Sequence, residues 1–176
     1  MTLRTPLALI LAILAGCAAA PRGPELPSSP YPPSACEADT AKHARLLTLP
    51  PTPADPSAAG DPGALAQTLP IDRKLSRVGR WQHRSDGWSS LTVSLESSGA
   101  RSLALHLSGL MLPPDTQIWF CTPDGRERLG PYRDAAGGEL WTPPLRGDRA
   151  LLQIWVPTSA HKALGGRLAE AQGGYR

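Results

Sequence analysis

The stretch SLALHLSGLMLPPDTQIWFCTPDG, residues 102–125, decides the fold class of this chain. Leucine recurs at every second position from 103 to 107, and Ile118 and Phe120 repeat the same spacing further on. A period of two is typical of a β-strand with one buried face. Between the two runs stands Pro113-Pro114-Asp115, which is typical of a turn. The stretch therefore predicts two strands and the connection between them.

The same alternation occurs in two further runs, Leu91–Leu95 and Leu152–Val156. No stretch after Pro70 shows sustained helical spacing. Turn signals separate the runs: Ser98-Gly99, Pro123-Asp124-Gly125, Gly137-Gly138, Gly147-Asp148 and Gly165-Gly166. We therefore predict an all-β domain over residues 71–176, an antiparallel β-sandwich of jelly-roll type with seven or eight strands.

The segment before this domain, residues 17–70, has the composition of a linker. It contains twelve prolines between Ala18 and Pro70, and Tyr31 is its only aromatic residue. Such a segment offers too little apolar surface to offset its ordering entropy, so we predict a mostly disordered linker. Two ordered islands are expected within it, a helix from Asp39 or Thr40 through Leu47 and a short turn from Asp61-Pro62 to near Leu69.

Residues 1–16 have the parts of a bacterial secretory signal. Arg4 precedes an apolar run, Leu7–Leu14, that is far shorter than the roughly 20 residues needed to span a bilayer. Leu14-Ala15-Gly16-Cys17 resembles the lipobox of bacterial lipoproteins, which implies cleavage before Cys17 and lipidation of its thiol. We therefore expect a palmitoylated envelope lipoprotein whose several acyl chains make a lasting membrane anchor.

The alternative cleavage site lies after Ala18-Ala19-Ala20, an A-x-A-like sequence. It would place Pro21 directly after the cut, where a fixed ring fits poorly in an extended, hydrogen-bonded substrate. Lipidation at Cys17 is therefore the preferred interpretation. Because residue 18 is Ala and not Asp, the resemblance to the enterobacterial sorting pattern favours the outer membrane, facing the periplasm or the cell surface.

Two further cysteines, Cys36 and Cys121, remain in the mature chain. An exported protein meets an oxidising compartment, where a disulfide between them is favoured over free thiols or other partners. Four scattered histidines, His43, His83, His106 and His161, show no metal-ligand spacing with these thiols, so no metal or other cofactor is predicted. Loss of Arg4 lowers the formal net charge from +3 to +2, which gives no reason to expect a nucleic-acid partner.

The sequence contains no motif of a known catalytic machinery. It lacks a Gly-x-Ser-x-Gly nucleophile elbow and a His-Glu-x-x-His metal motif. His106 lies on the polar phase of its strand, so a solvent-facing or hydrogen-bonded imidazole is preferred over a general base. The carboxylates of five turns are expected to bond their own backbone, with calcium between two loops as the alternative: Asp115, Asp124, Asp134, Glu139 and Asp148. We therefore predict that the chain is not an enzyme.

Two tryptophans are the candidate ligand-binding residues. Trp119 and Trp155 are out of phase with the aliphatic residues of their strands, and Gln117 and Gln153 precede them by two positions on the same faces. A flat aromatic ring beside an amide is suited to stacking on a sugar and bonding its hydroxyls. Cys121 shares the face of Trp119, however, so a disulfide to Cys36 would draw the tail across it. Cover by the tail is therefore preferred over an open glycan platform.

Three segments together resemble a known family: residues 102–125, "GGELWTPPLRGDRALLQIWVP" at 137–157 and "RLAEAQGGYR" at 167–176. They are similar to the amino-terminal non-catalytic domain of bacterial lysyl-endopeptidase-like, trypsin-fold serine proteases. The strand beginning at Trp88 fits as well, and the resemblance covers about residues 78–176. In that family the chain continues into the protease, so none of its catalytic residues carries over here. The lipobox is a second departure, because the family is secreted.

The resemblance implies a protease-associated domain that binds or regulates a secreted trypsin-like serine protease, as a detached prodomain would, while held on a membrane. A glycan- or peptide-binding module that uses Trp119 and Trp155 is the first alternative. A structural lipoprotein, or the remnant of a truncated protease gene, is the second. Fold-level similarity alone does not choose among them.

Overall fold

A computed structural model of the chain describes residues 35–37, 39–55, 57 and 63–175. The signal segment 1–16 and the lipidation site Cys17 lie outside the described residues, as does the rest of the chain up to residue 34. In the described part, no helix has both the length and the apolar character needed to cross a bilayer.

One of the two sheets has six strands. They are β1 (Arg45–Thr48), β3 (Arg80–His83), β4 (Trp88–Glu96), β6 (Gln117–Cys121), β7 (Arg128–Tyr132) and β10 (Arg149–Pro157). Their order is β1-β4-β10-β6-β7, and β3 pairs with the first half of β4 while β1 pairs with the second half. The β1–β4 pair is parallel, and the other pairs are antiparallel.

The other sheet has five strands. They are β2 (Ala66–Lys74), β5 (Ser102–Met111), β8 (Leu140–Trp141), β9 (Leu145–Arg146) and β11 (Gly165–Gly174). The order is β2-β11-β5, with β8 and β9 end to end along the far side of β5. Short helical segments complete the described chain: α1 (Thr40–His43), α2 (Leu75–Val78) and the 3-10 segments Ala136–Gly138 and Thr158–Ala163.

The two sheets enclose one apolar core, which confirms the predicted β-sandwich, although the described residues form eleven strands and not seven or eight. The alternating leucines of β5 and the inward residues of β4, β6 and β10 are almost entirely buried in it. Phe120 is fully buried at the centre of this core. Burying each such side chain contributes about 1.5–3 kcal/mol, so the period-two pattern carries most of the stability of the fold. Successive strands repeatedly cross between the sheets, as in a jelly roll.

The segment before residue 71 contributes more regular structure than the sequence indicates. The predicted helix through Leu47 ends at His43, and Arg45–Thr48 instead form β1 on the open edge of β4. The helical expectation was wrong from Arg45 onward because one turn of helix has few internal bonds, whereas the sheet edge offers a full ladder. The start of the second expected island, Asp61-Pro62, falls outside the described residues. Its expected end near Leu69 was wrong, because Ala66–Leu69 belong to strand β2, in which Leu69 is fully buried.

Candidate functional site

Cys36 and Cys121 form a disulfide bond, as predicted. Cys121 ends β6 on the outer face of the six-stranded sheet, and the bond holds the chain before β1 against that face. We call this part of the chain, residues 35–37 and 39–44, the strap. The strap and the sheet share a second apolar cluster: Ala35, Cys36, Trp88, Cys121, Leu151 and Trp155, with Ala41, Ala44 and Trp119 packed against it.

The four predicted ligand-binding residues lie side by side on β6 and β10, where the strap bonds to Gln153 and shares an apolar cluster with Trp155 and Trp119. In the β6–β10 register Gln153 faces Trp119, and Trp155 faces Gln117. Trp155 is 4% exposed, Gln117 5% and Gln153 3%, while Trp119 is partly buried. The backbone amide of Cys36 donates a hydrogen bond of 2.8 Å to Gln153 Oε1. The strap therefore occupies the surface on which a sugar would have to stack.

A cavity of about 150 Å³ remains between the strap and the sheet. Glu37, Asp39 and His43 line it from the strap, and Gln153 and Trp155 from β10. The indole Nε1 of Trp155 is buried and has no hydrogen-bond partner. The cavity has room for a few water molecules, which bridge buried polar groups such as this indole N–H. A sugar ring does not fit there while the strap is in place.

The outer face of the five-stranded sheet is open. A groove of about 350 Å³ runs along it. Its lining is mostly small and apolar: Leu65, Ala66, Ser102, Ala104, Pro144, Gln172 and Gly174. Along one side, Thr68, Gln172 and Glu170 form a hydrogen-bonded ladder in which the Gln172 amide donates to Glu170 Oε1 at 2.9 Å. The groove therefore combines an apolar floor with a fixed row of polar groups.

Trp141 lies beside this groove and is 55% exposed. Its indole stacks on the imidazole of His106, with ring centroids 3.8 Å apart and planes inclined by 8°. His106 Nε2 lies 2.5 Å from Glu139 Oε2, so the carboxylate orients the imidazole and the imidazole supports the indole. His106 therefore positions the indole of Trp141 on the sheet surface. The sequence interpretation missed Trp141, because β8 has only two residues and shows no alternation.

Two of the predicted turn carboxylates, Asp124 and Asp148, line a third cavity, of about 460 Å³, at one end of the sandwich. The Thr122 hydroxyl donates a 2.6 Å hydrogen bond to Asp124 and is the main cause that lowers the pKa of that carboxyl. Three arginines share the lining, Arg126, Arg146 and Arg149, and their charge opposes a calcium ion. Nowhere in the described chain do three His, Cys, Asp or Glu side chains form a group suited to a metal.

Ser89 and His83 form a serine–histidine pair, with 2.7 Å between Ser89 Oγ and His83 Nδ1. Ser89 is fully buried, and its Oγ also lies 2.8 Å from Thr158 Oγ1. A substrate has no access to this hydroxyl, so the pair is structural.

Comparisons of the chain with protein-family models, curated proteins and solved structures give no match.

Proposed function

We propose that this chain is a non-catalytic lipoprotein module, anchored through Cys17, that binds a secreted trypsin-like serine protease on the outer face of its five-stranded sheet. One observation carries the proposal: the two outer faces of the sandwich differ. The strap and the disulfide cover the face of the six-stranded sheet. The opposite face presents an open groove of about 350 Å³ beside the exposed Trp141.

The strap also sets how the module is presented to a partner. The chain from Cys17 reaches the domain at Cys36, on the face opposite the groove. Nineteen residues of polypeptide span at most roughly 65 Å, which bounds the distance from the membrane. Because the tether and the groove are on opposite faces, anchoring leaves the groove open to a large partner. This arrangement suits a module that holds a secreted protein near the envelope.

The edges of the five-stranded sheet are poorly suited to accept an additional strand. β2 carries Pro70 and ends in charged residues. Pro143-Pro144 separates the two-residue strands β8 and β9. Proline and charge at sheet edges oppose edge-to-edge pairing. On this sheet a partner therefore docks through the face and the groove, where apolar floor and polar ladder are both accessible.

The segments that resemble the protease-associated domain supply strands to both sheets. Residues 102–125 contain β5 and β6, residues 137–157 contain β8, β9 and β10, and residues 167–176 contain most of β11. Of these strands, β6 and β10 belong to the sheet that the strap covers, and the others belong to the five-stranded sheet. Because the resemblance extends over both sheets, the open groove is what assigns the partner to the five-stranded face.

The test is capture of secreted and periplasmic proteins from the producing organism on the immobilised full chain, with identification by mass spectrometry. We expect a trypsin-like serine protease to be retained. Ala104→Arg, which fills the groove floor, should abolish retention. Leu46→Arg is the matched control, because Leu46 is 55% exposed on β1 of the other sheet. If A104R retains the protease as well as the native chain does, the groove is not the docking surface. If only background proteins are recovered, the proposal of a trypsin-like protease partner is contradicted.

A glycan is the second candidate ligand, and Trp141 is the observation that favours it. An exposed indole held flat by an imidazole, on the sheet that also carries the Gln172 amide, is suited to stacking on a sugar ring. If envelope glycan fragments bind, Trp141→Ala should abolish binding while Trp119→Ala retains it. If Trp119→Ala abolishes binding and Trp141→Ala retains it, the glycan binds to the face beneath the strap instead.

A further inference from the structure

We propose that His83 and His161 form a binding site for a divalent transition-metal cation, of the class of Zn²⁺, Ni²⁺ and Cu²⁺. His83 is the last residue of β3, and His161 lies in the 3-10 segment Thr158–Ala163. Their ring centroids are 4.9 Å apart, with planes inclined by 67°. The pair lies away from the groove of the five-stranded sheet, so the proposal does not depend on the partner proposed above.

The hydrogen bonds of the two rings leave the same nitrogen available on each. His161 Nδ1 donates to the Thr158 carbonyl oxygen at 2.6 Å, which fixes the tautomer with a basic Nε2. His83 Nδ1 lies 2.7 Å from Ser89 Oγ, whose other neighbour is Thr158 Oγ1. Among the described residues, neither Nε2 atom has a hydrogen-bond partner. Metal-ligating histidines show this pattern, in which one ring nitrogen is held by the protein and the other binds the ion.

Both Nδ1 atoms bond to the Ser89–Thr158 pair. These bonds use Nδ1 on each ring and leave Nε2 on each ring for an ion. Ser89 is fully buried, whereas His83 is exposed and His161 half-buried. Both rings are therefore in contact with solvent, from which an ion can approach them.

The separation of the rings matches that of two ligands of one ion. Two imidazoles that bind a tetrahedral Zn²⁺ through Nε2, at Zn–N distances of about 2.0–2.1 Å, have ring centres roughly 5 Å apart. The observed separation of 4.9 Å agrees with this value. Imidazole nitrogen is a preferred donor for Zn²⁺, Ni²⁺ and Cu²⁺, with Cu²⁺ bound most tightly of the three. Water would complete the coordination.

Trp81 keeps the two rings in this arrangement. Its indole lies parallel to the His83 ring at 6.2 Å and edge-on to the His161 ring at 5.6 Å. The indole is itself held by a 3.1 Å hydrogen bond from its Nε1 to the Ser76 carbonyl oxygen. Two cations adjoin the histidines in the chain. Arg84 is paired with Asp86 at 2.9 Å, which reduces its repulsion of an incoming ion. Lys162, next to His161, is exposed, so solvent screens its charge.

The experiment is calorimetric titration of the full chain, purified in detergent without an oligohistidine tag, with ZnCl₂ and then with CuCl₂. We expect one ion per chain and tighter binding of Cu²⁺. His83→Gln and His161→Gln should each weaken Zn²⁺ binding by roughly tenfold or more, and Ser89→Ala, which frees the His83 ring, by about tenfold. Electron paramagnetic resonance of the Cu²⁺ form should show coupling to two imidazole nitrogens, and to one in either single variant.

His106→Gln and His43→Gln are the matched controls, because these histidines lie elsewhere and should leave the affinity unchanged. Equal melting temperatures of the metal-free variants establish that each variant is folded. The proposal is overturned if the native chain binds no Zn²⁺ at millimolar concentration. It is overturned equally if H83Q and H161Q bind as the native chain does, or if H106Q or H43Q loses as much affinity as they do.

Discussion

The backbone amide of Cys36 bonds to the side chain of Gln153, 117 residues further along the chain, at a distance of 2.8 Å. Both groups are buried, and Gln153 is 3% exposed. The neighbouring strand holds Cys36 a second time, through the disulfide to Cys121. The strap is thus fixed to β6 and β10 by one covalent and one polar contact, and these two contacts decide which face of the sandwich stays open.

The disulfide should account for a large share of the stability of the domain. It joins residues 85 positions apart, and in the chain-entropy model such a loop contributes roughly 4–5 kcal/mol. We expect Cys36→Ser with Cys121→Ser to lower the free energy of unfolding by about that amount. Urea unfolding of the oxidised native chain and of the double variant measures the difference. A double variant as stable as the oxidised native chain would contradict the prediction.

Gln153 should be needed to seat the strap. Gln153→Leu leaves the Cys36 amide without an acceptor in a buried position, which costs about 1–3 kcal/mol. We expect that loss in urea unfolding, together with a red shift of tryptophan fluorescence as water reaches Trp155. Gln172→Leu, in the half-buried ladder of the other sheet, is the matched control and should cost less. If both variants lose the same free energy of unfolding, the hydrogen bond from the Cys36 amide to Gln153 stabilises the fold no more than the half-buried bonds of Gln172 do.

The sandwich was predictable because its strands show their buried face in a local pattern. Leu103 to Leu107 alternate over a strand of ten residues, and all three leucines are fully buried. β1 has only four residues, Arg45–Thr48, and no alternation. It forms because β4, whose paired residues follow 48 positions later (Val93 opposite Arg45), offers an unpaired edge. A contact of that range leaves no mark in the local sequence, so a helix was expected instead.

The candidate sites were predictable only in part, for the same reason. The phase of Trp119 and Trp155 correctly indicated the outer face of their sheet. Trp141 lies in a strand of only two residues, which is too short for an alternating pattern to show which face its side chain is on. His83 and His161 are separated by most of the domain, and only the packing of the 3-10 segment against β3 and β4 brings them together.

Truncation of Phe120 should destabilise the fold strongly, whereas truncation of Trp141 should leave its stability almost unchanged. Phe120 is fully buried in the main core, so Phe120→Ala should lower the free energy of unfolding by about 3–5 kcal/mol. Trp141 is 55% exposed, and Trp141→Ala should change it by less than about 0.5 kcal/mol. Thermal and urea unfolding measure both. A strongly destabilised W141A would contradict the assignment of Trp141 to a binding surface, because the core would then depend on it.

Asp72 and Arg167 should make the edge strand β2 sensitive to acid. Arg167 Nε donates to Asp72 Oδ1 at 2.5 Å, and this bond lowers the pKa of the Asp72 carboxyl below its ordinary value. A lowered pKa means that the ion pair stabilises the folded state above about pH 4, the range of an unfolded aspartate, and that the contribution is lost as pH falls through the lower, folded value. Since both side chains are well exposed, solvent screening keeps the effect small.

Asp72→Asn isolates this contribution, because asparagine tolerates the left-handed backbone of residue 72, at φ +47°, and carries no charge. We expect amide hydrogen exchange in β2 to accelerate as the pH falls below about 4 in the native chain more than in D72N, at low salt, after correction for intrinsic exchange. The difference should shrink at high salt, as it does for exposed ion pairs. If both chains respond alike to acid, the pair between β2 and β11 contributes nothing to holding that edge, and the backbone ladder alone keeps β2 on the sheet.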